Sequence, residues 1–283
     1  MRKILIPTDF SENAMNATRY ALELFKYDVS EFYFIHAYED DIYNDINSTT
    51  NKIAFEDLKK AKGKASLNQL KDTLKQVKEF SPNPRHTHFS ISACSSLIDE
   101  TDKLVEEKNI DIIVMGTKGK ADDKTLTFGS NTLQVLRYVS CPVLSIPRDF
   151  KYKRPKHILF PTNYLIPYKR RELKLLHELA CPYRAKIELL YFSKSSTLSL
   201  RQQDNKQFIE ETICKNELIF TMVNAKDIFG NINSQIKKKN IDMLVMVNTK
   251  HSHLEKILFE STIDKISLNI PIPFLALQNI KRD

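Results

Sequence analysis

Three glycines near the middle of the chain have the spacing of an anion-binding loop. Gly116, Gly119 and Gly129 lie within fourteen positions, whereas the whole chain of 283 residues contains five glycines. Glycine leaves room for another group to approach the main chain closely. Gly129 precedes a segment with helical spacing, so the N–H groups of Ser130 and Asn131 would lie at a helix start, where they favour an anion. The pattern predicts a phosphate-binding loop.

The spacing Gly-x2-Gly-x9-Gly-Ser differs from the two commonest phosphate-binding motifs. A Walker A loop needs G-x-x-x-x-G-K-[ST], and a Rossmann fingerprint needs G-x-G-x-x-G. Within the loop, Lys118, Lys120 and Lys124 could offset phosphate charge. Asp122 and Asp123 could help to hold Mg²⁺, which prefers oxygen ligands, although a solvated loop tip is the favoured interpretation of these two residues. A mobile loop with a glycine cap is the alternative to a phosphate site.

Two histidine pairs have the spacing of metal ligands, but the sequence offers no further ligands near either pair. His86 and His88 share one face of a predicted strand, and His251 and His253 follow the same -x- spacing. A zinc site needs third and fourth ligands, and none is spaced nearby, so ordinary, partly exposed histidines are expected and no metal residue is assigned. The chain shows no positioned base either, so we assign no catalytic residue and expect any hydrolysis at a phosphate site to be slow at most.

The composition indicates a cytoplasmic globular protein. The first residues contain no apolar run of seven or more, so no signal peptide is expected. The most apolar runs have the length of strands and are too short to span a membrane. The four cysteines, at 94, 141, 181 and 214, form no C-x-x-C pair, which argues against both a zinc site and a disulfide framework.

Positive charge is concentrated in the second half of the chain. Residues 1–150 contain 20 basic and 22 acidic residues, a net charge of −2, and residues 151–283 contain 23 and 13, a net charge of +10. Such asymmetry can mark an acidic partner, a membrane surface or nucleic acid. The basic residues are scattered, and no aromatic residues alternate regularly with them as a base-stacking surface requires. A solvated face is therefore favoured over a nucleic-acid site.

The sequence contains an internal repeat. KILIPTDF at 3–10 returns as HILFPTNY at 157–164, and NIDIIVM at 109–115 returns as NIDMLVM at 240–246. The offset is 154 in the first pair and 131 in the second. The constant order with one change of offset predicts a duplicated domain whose second copy lacks 23 residues. We expect domains at 1–149 and 154–283, joined by the charged segment 148–156.

Each copy is predicted to be an α/β domain. In the first copy, apolar runs at the start, near 31–38, 85–93, 110–116 and 142–147 alternate with helical patterns, including Ala54–Val77, Ser95–Lys108 and Ser130–Val139. Such alternation predicts a doubly wound, Rossmann-like parallel sheet of five strands covered on both faces. Ligands of these sheets bind beyond the carboxyl ends of the strands, where Asp9 and the glycine loop are expected to lie.

The segments ILIPTDFS and CPVLSIP, together with the glycine motif, resemble the universal stress protein (UspA) family, in particular its tandem two-domain members. The resemblance implies strand order 3-2-1-4-5 and ATP as the ligand. The residues that it places around the adenine and ribose are Pro7, Thr8, Asp9, Ala37, Met115 and Gly116. Those that it places around the phosphates are Gly119, Gly129, Ser130 and Asn131. It also implies pairing through the last strand, between the two copies of the chain or in a homodimer.

The second copy departs from the family pattern. Asn163 replaces Asp9, Glu260 replaces Gly129, and the segment at 246–251 contains no glycine. A carboxylate in place of Gly129 would repel phosphate, so ATP is expected in the first copy alone. The favoured hypothesis is an ATP-binding sensor module in a stress response that acts on an unknown protein partner. The alternatives are a slow ATPase and a nucleotide-free scaffold that binds a partner through the basic second copy.

Overall fold

The structure is a computed structural model, and it describes residues 1–40, 42, 52–118, 128–166, 168–193, 197–213, 215–224, 227–249 and 270–279. The chain divides into two compact units, Met1–Cys141 and Pro142–Asp283. In both, strands alternate with helices along the chain, which confirms the predicted α/β class.

The first half of the chain has the strand order 3-2-1-4-5, as predicted. Its strands are β1 (Arg2–Pro7), β2 (Ser30–Ala37), β3 (His86–Ala93), β4 (Ile112–Gly116) and β5 (Val143–Ile146). Its helices are α1 (Glu12–Leu24), α2 (Lys52–Phe80), α3 (Leu97–Lys108) and α4 (Ser130–Tyr138). Strand β1 runs parallel to both β2 and β4, and β2 runs parallel to β3.

Burial explains the difference between the central and edge strands. Ile4, Leu5 and Ile6 of β1 are 0% exposed, because helices cover both faces of a parallel sheet and a central strand must then be apolar throughout. Helix α1 contacts α2, and α3 contacts α4, as right-handed crossovers on the two faces require. The edge strand β3 alternates in sequence and has Phe89 40% exposed.

The second half of the chain repeats this arrangement. Its strands are β6 (His157–Thr162), β7 (Lys186–Phe192), β8 (Glu217–Val223), β9 (Met243–Asn248) and β10 (Phe274–Gln278). Its helices are α5 (Arg170–Ala180), α6 (Leu200–Thr212) and α7 (Ile228–Lys238). The order 8-7-6-9-10 is that of the first half.

Strand β5 belongs to the second unit, although its sequence closes the first repeat. It runs antiparallel to β10, with Leu144 opposite Leu275, whereas β10 runs parallel to β9. The last strands of the two repeats therefore pair with each other, one of the two forms of pairing that the family resemblance implies.

Among the described residues, no helix combines the length and the apolar character that crossing a membrane would require.

Candidate functional site

The loop after β1 is a rigid turn at the carboxyl edge of the sheet. The Thr8 hydroxyl accepts the N–H of Phe10 at 3.0 Å, and Asp9 Oδ1 accepts the N–H of Ser11 at 3.0 Å. Phe10 adopts the left-handed region, with φ of 61°. The N–H of Thr8 donates to the Ile35 carbonyl at 2.9 Å, which holds the turn against β2. The turn therefore fixes the position of the Asp9 carboxylate beside the strand ends.

Ser11 converts this turn into the start of α1. Its hydroxyl accepts the N–H of Ala14 at 3.1 Å, and Glu12 in the first turn complements the positive end of the helix dipole. Ser11 is therefore the N-cap residue of α1.

The start of α4 is tied to the end of β4. The Thr132 hydroxyl donates to the Gly116 carbonyl at 2.8 Å, and the N–H of Gly129 donates to the Thr117 carbonyl at 2.8 Å. These two bonds hold the first turn of the helix beside the carboxyl end of the strand. The α4 N-terminus is thus placed where doubly wound sheets bind ligands.

Helix α4 begins without a side-chain cap. Gly129 is the N-cap residue, with φ of −70° and ψ of 165°, and it has no side chain to accept the first helical N–H groups. The N–H groups of Ser130, Asn131 and Thr132 make no hydrogen bond to any other residue that the structure describes. N–H groups without a protein partner at the positive end of a helix dipole can bind an anion.

The structure places the described residues of the predicted site at one edge of the sheet. They are Pro7, Thr8, Asp9, Ala37, Met115, Gly116, Gly129, Ser130 and Asn131. Because β1 pairs with both β2 and β4, the loops after these three strands are neighbours. Gly119 lies outside the described residues, as do Asp122 and Asp123.

A model of the universal stress protein family matches residues 1–147. The chain belongs to the universal stress protein family. The universal stress protein MJ0531 of Methanocaldococcus jannaschii is 28% identical over 150 residues, which cover 53% of this chain and 84% of that protein. The crystal structure of a universal stress protein from Archaeoglobus fulgidus has a TM-score of 0.66 at 16% identity and covers 98% of this chain and 96% of that one. The second comparison shows that the fold extends over both halves.

A universal stress protein that has been solved in complex with cAMP has a TM-score of 0.35 to this chain at 11% identity, over 45% of this chain and all of that one.

Asn13 lies beside the candidate site of this universal stress protein, and the sequence alone did not single it out. It lies in the first turn of α1 and is 4% exposed. Its side-chain amide donates to the Lys118 carbonyl and fills the space in which Gly116 would have a Cβ. Glycine at position 116 predicted that another group approaches the main chain closely there, and in the structure this group is the Asn13 side chain. The available signal was a polar residue on the buried face of an amphipathic helix.

The second half of this universal stress protein keeps the turn and changes its chemistry. The Thr162 hydroxyl accepts the N–H of Tyr164, and Asn163 Oδ1 accepts the N–H of Leu165, both at 2.9 Å. Tyr164 has φ of 55°, like its counterpart in the first half. The backbone of the turn is kept, but Asn163 replaces the carboxylate of Asp9, and Leu165 replaces the helix-capping hydroxyl of Ser11. In addition, the Tyr168 hydroxyl is hydrogen-bonded to that of Thr162.

Helix α6 covers this second turn with amide side chains. Gln202 donates to the Asn163 carbonyl at 2.9 Å and to the Tyr191 hydroxyl at 3.1 Å. Asn205 donates to the Tyr164 carbonyl at 2.7 Å. Side chains of α6 therefore occupy two carbonyl groups of the turn after β6, the turn that corresponds to the one carrying Asp9.

The two histidines of β3 are packing residues, and His86 is more buried than the sequence suggests. Its ring centroid lies 4.8 Å from that of Phe32, and 8% of the residue is exposed. Burial, with the charges of His86 and Lys78, lowers the pKa of His88 to about 4. Across the described part of the chain, no three histidine, cysteine or acidic side chains cluster closely enough to hold a metal ion.

Glu172 is a buried carboxyl group at the start of α5. It is 4% exposed, and its Oε2 atom has no hydrogen-bond partner among the described residues. Burial raises the pKa of Glu172 from 4.5 to about 7, against the opposing charges of Lys169 and Arg171. The folded protein therefore binds a proton at Glu172 more tightly than the unfolded chain does.

Glu172→Gln is expected to stabilise the protein at pH 8 by about 1–3 kcal/mol and to have little effect at pH 4. The reason is that the wild type loses stability as pH rises from 4.5 through 7, when the buried carboxyl must ionise, and an amide does not ionise. Urea unfolding at both pH values measures the difference. Glu178→Gln, at a half-exposed position of the same helix, is the matched control for the loss of a carboxylate. An equal effect of Glu172→Gln at both pH values would contradict the assignment.

Proposed function

We propose that the first half of the chain binds ATP and that the protein acts as a nucleotide-dependent regulatory module in a stress response. The observation that carries the proposal is the uncapped start of α4, where three N–H groups converge beside the strand ends. Triphosphate oxygens match this donor set, because they are anionic acceptors.

The proposed pose follows the family pattern. Pro7, Thr8, Asp9 and Ala37 border the adenine and ribose, and Met115 and Gly116 lie on the ribose side. Gly119, Gly129, Ser130 and Asn131 hold the phosphates, with Mg²⁺ beside them in the metal-bound form of the nucleotide. The rigid turn that fixes Asp9 supports this arrangement, because a carboxylate held at a strand end can accept hydrogen bonds from ribose hydroxyls.

The second half is proposed to bind no ATP. Its sequence has Glu260 in place of Gly129, and Gln202 and Asn205 already bond to the turn after β6. One nucleotide per chain, in the cytoplasm, would then change a surface that a partner protein reads. The proposed role is sensing, because the sequence offers no positioned base for attack on the γ-phosphate.

Thermal unfolding with increasing ATP and Mg²⁺ tests the proposal. A ligand that binds the folded form alone stabilises it by about 2.7 kcal/mol at 100 times its Kd, so the unfolding temperature should rise steadily with ATP. Isothermal titration should give one site per chain. Intact ATP recovered from the complex supports a sensor, and stoichiometric ADP formation in a single turnover supports a slow ATPase. No shift and no titration heat would contradict ATP binding.

A further inference from the structure

We propose that Asn13 is a positioning residue for the main chain at 116–118, where the chain leaves β4 beside the proposed ATP site. We propose also that position 116 is glycine because Asn13 occupies the space that a side chain at this position would need. The inference rests on the proposed ATP site and adds to it a residue of α1 outside the predicted set. It also assigns Gly116 a partner within the protein.

The first observation is steric. A Cβ atom at Gly116 would lie 2.6 Å from Asn13 Nδ2 and 2.8 Å from its Cγ, and both distances are shorter than any normal carbon contact. Gly116 does not adopt a positive φ, so conformation alone would permit another residue there. Asn13 is 4% exposed, so close packing prevents its side chain from moving aside without cost. The absence of a side chain at position 116 is therefore explained by Asn13.

The second observation is a set of hydrogen bonds to three successive carbonyl groups. Thr132 Oγ1 donates to the Gly116 carbonyl, the N–H of Gly129 donates to that of Thr117, and Asn13 Nδ2 donates to that of Lys118. The first two donors belong to the start of α4, and the third belongs to α1. Together they fix the main chain where it leaves β4, and Asn13 ties it to α1.

The third observation comes from the second repeat. At the offset of 131, Val247 corresponds to Gly116. The helix after β6 begins at Arg170, whereas the offset of 154 applied to the start of α1 at Glu12 would place it at 166. The second repeat therefore changes the first turn of the helix that carries Asn13 in the first repeat, and it also has a side chain at the position of Gly116.

A double-mutant cycle on the full chain tests the proposal, with the Kd for ATP and unfolding without nucleotide as separate measurements. Gly116→Ala should weaken ATP binding at least about tenfold in the presence of Asn13. In an Asn13→Ala background the same change should alter the Kd less than about twofold, because the space is then open. Asn13→Ala alone should weaken ATP about fivefold by releasing the Lys118 carbonyl.

Two further variants separate positioning from general stability. Asn13→Asp keeps the shape and removes the donor, so it should weaken ATP at least as much as Asn13→Ala. Thr18→Val removes a buried hydroxyl that bonds within α1, to the Ala14 carbonyl, and should leave the Kd unchanged. If the Asn13 variants lower the unfolding temperature without changing the Kd, Asn13 has a structural role alone and the positioning role is overturned.

The outcomes distinguish this inference from the proposed function. If Gly116→Ala abolishes ATP binding equally with and without Asn13, the space at Gly116 belongs to the ligand, and the pair is refuted while ATP binding stands. If the wild type binds no ATP, the proposed function and the positioning role both fail. The double-mutant cycle measured on the free energy of unfolding without nucleotide then decides whether Asn13 and Gly116 are coupled. Additive effects of the two substitutions on this free energy would refute the steric claim.

Discussion

Gly129→Glu is expected to weaken ATP binding at least about 100-fold, equivalent to about 2.7 kcal/mol. The variant places a carboxylate at the uncapped start of α4, where the phosphates are proposed to lie. At an effective dielectric constant of about 20, two like charges about 4 Å apart repel by about 4 kcal/mol. The backbone of Gly129 is extended, with φ of −70°, so glutamate can adopt it, and the loss should therefore come from the ligand site. Isothermal titration with ATP measures the change.

Two variants control for charge and for loss of glycine. Gln134→Glu adds the same charge at an exposed position of α4 and should leave the Kd within about twofold. Gly129→Ser removes the glycine without adding charge and should weaken ATP much less than glutamate does. Tight ATP binding by Gly129→Glu would show that the phosphates lie elsewhere.

Lys239→Met is expected to destabilise the second half of the chain by about 3 kcal/mol. The Lys239 ammonium lies 2.5 Å from the carboxylate of Glu188, which is 0% exposed. Thr221 donates to the same carboxylate at 2.7 Å, and His157 Nε2 lies 3.0 Å from it. Lys239→Met removes the ammonium nearest to this buried carboxylate and leaves it with Thr221 and His157 alone, which costs stability because a buried charge that loses an ionic partner is poorly solvated. Urea unfolding at pH 7 measures the loss.

The effect of Lys239→Met should depend on pH. Burial alone would raise the pKa of Glu188, but hydrogen bonds from Lys239 and Thr221 and the charges of Lys239 and His157 lower it overall. The stabilisation is then present above the pKa of the unfolded chain, near 4.5, and is lost as pH falls through the folded value. The difference between wild type and variant should therefore shrink in acid.

Lys186→Met is the matched control for this prediction. Lys186 pairs with Glu217 at 2.9 Å, but both side chains are more than half exposed, and such surface pairs contribute little. Lys186→Met should lower the free energy of unfolding by less than about 1 kcal/mol. Equal losses from the two variants would mean that the Glu188 pair is solvated in the folded protein.

The fold could be predicted from the sequence because its signals are local. Buried runs such as that of β4, with Ile112 and Ile113, identify central strands, and Ser130 begins its helix at the predicted residue. The internal repeat then predicted a duplicated domain, and the alternation of strands and helices predicted a parallel sheet. These signals depend on neighbours along the chain and need no knowledge of tertiary contacts.

The side-chain contacts around the site could not be predicted in the same way. Asn13 meets Lys118 across 105 positions of sequence, and Gln202 covers Asn163 across 39. Neither residue belongs to a motif, and each acts through the packing of a helix on distant loops. The glycine spacing therefore predicted where a site would lie, whereas the cause of the close approach at Gly116, the Asn13 side chain, could be identified only in the structure.

The antiparallel pairing of β5 with β10 limits how this protein can be cut into pieces. A fragment that starts in the charged segment after β5 would leave one side of β10 without its neighbour. The exposed main-chain donors and acceptors of such an edge recruit other strands, so the truncated protein would tend to self-associate. Dissection experiments should therefore keep residues 142–147 attached to the C-terminal half.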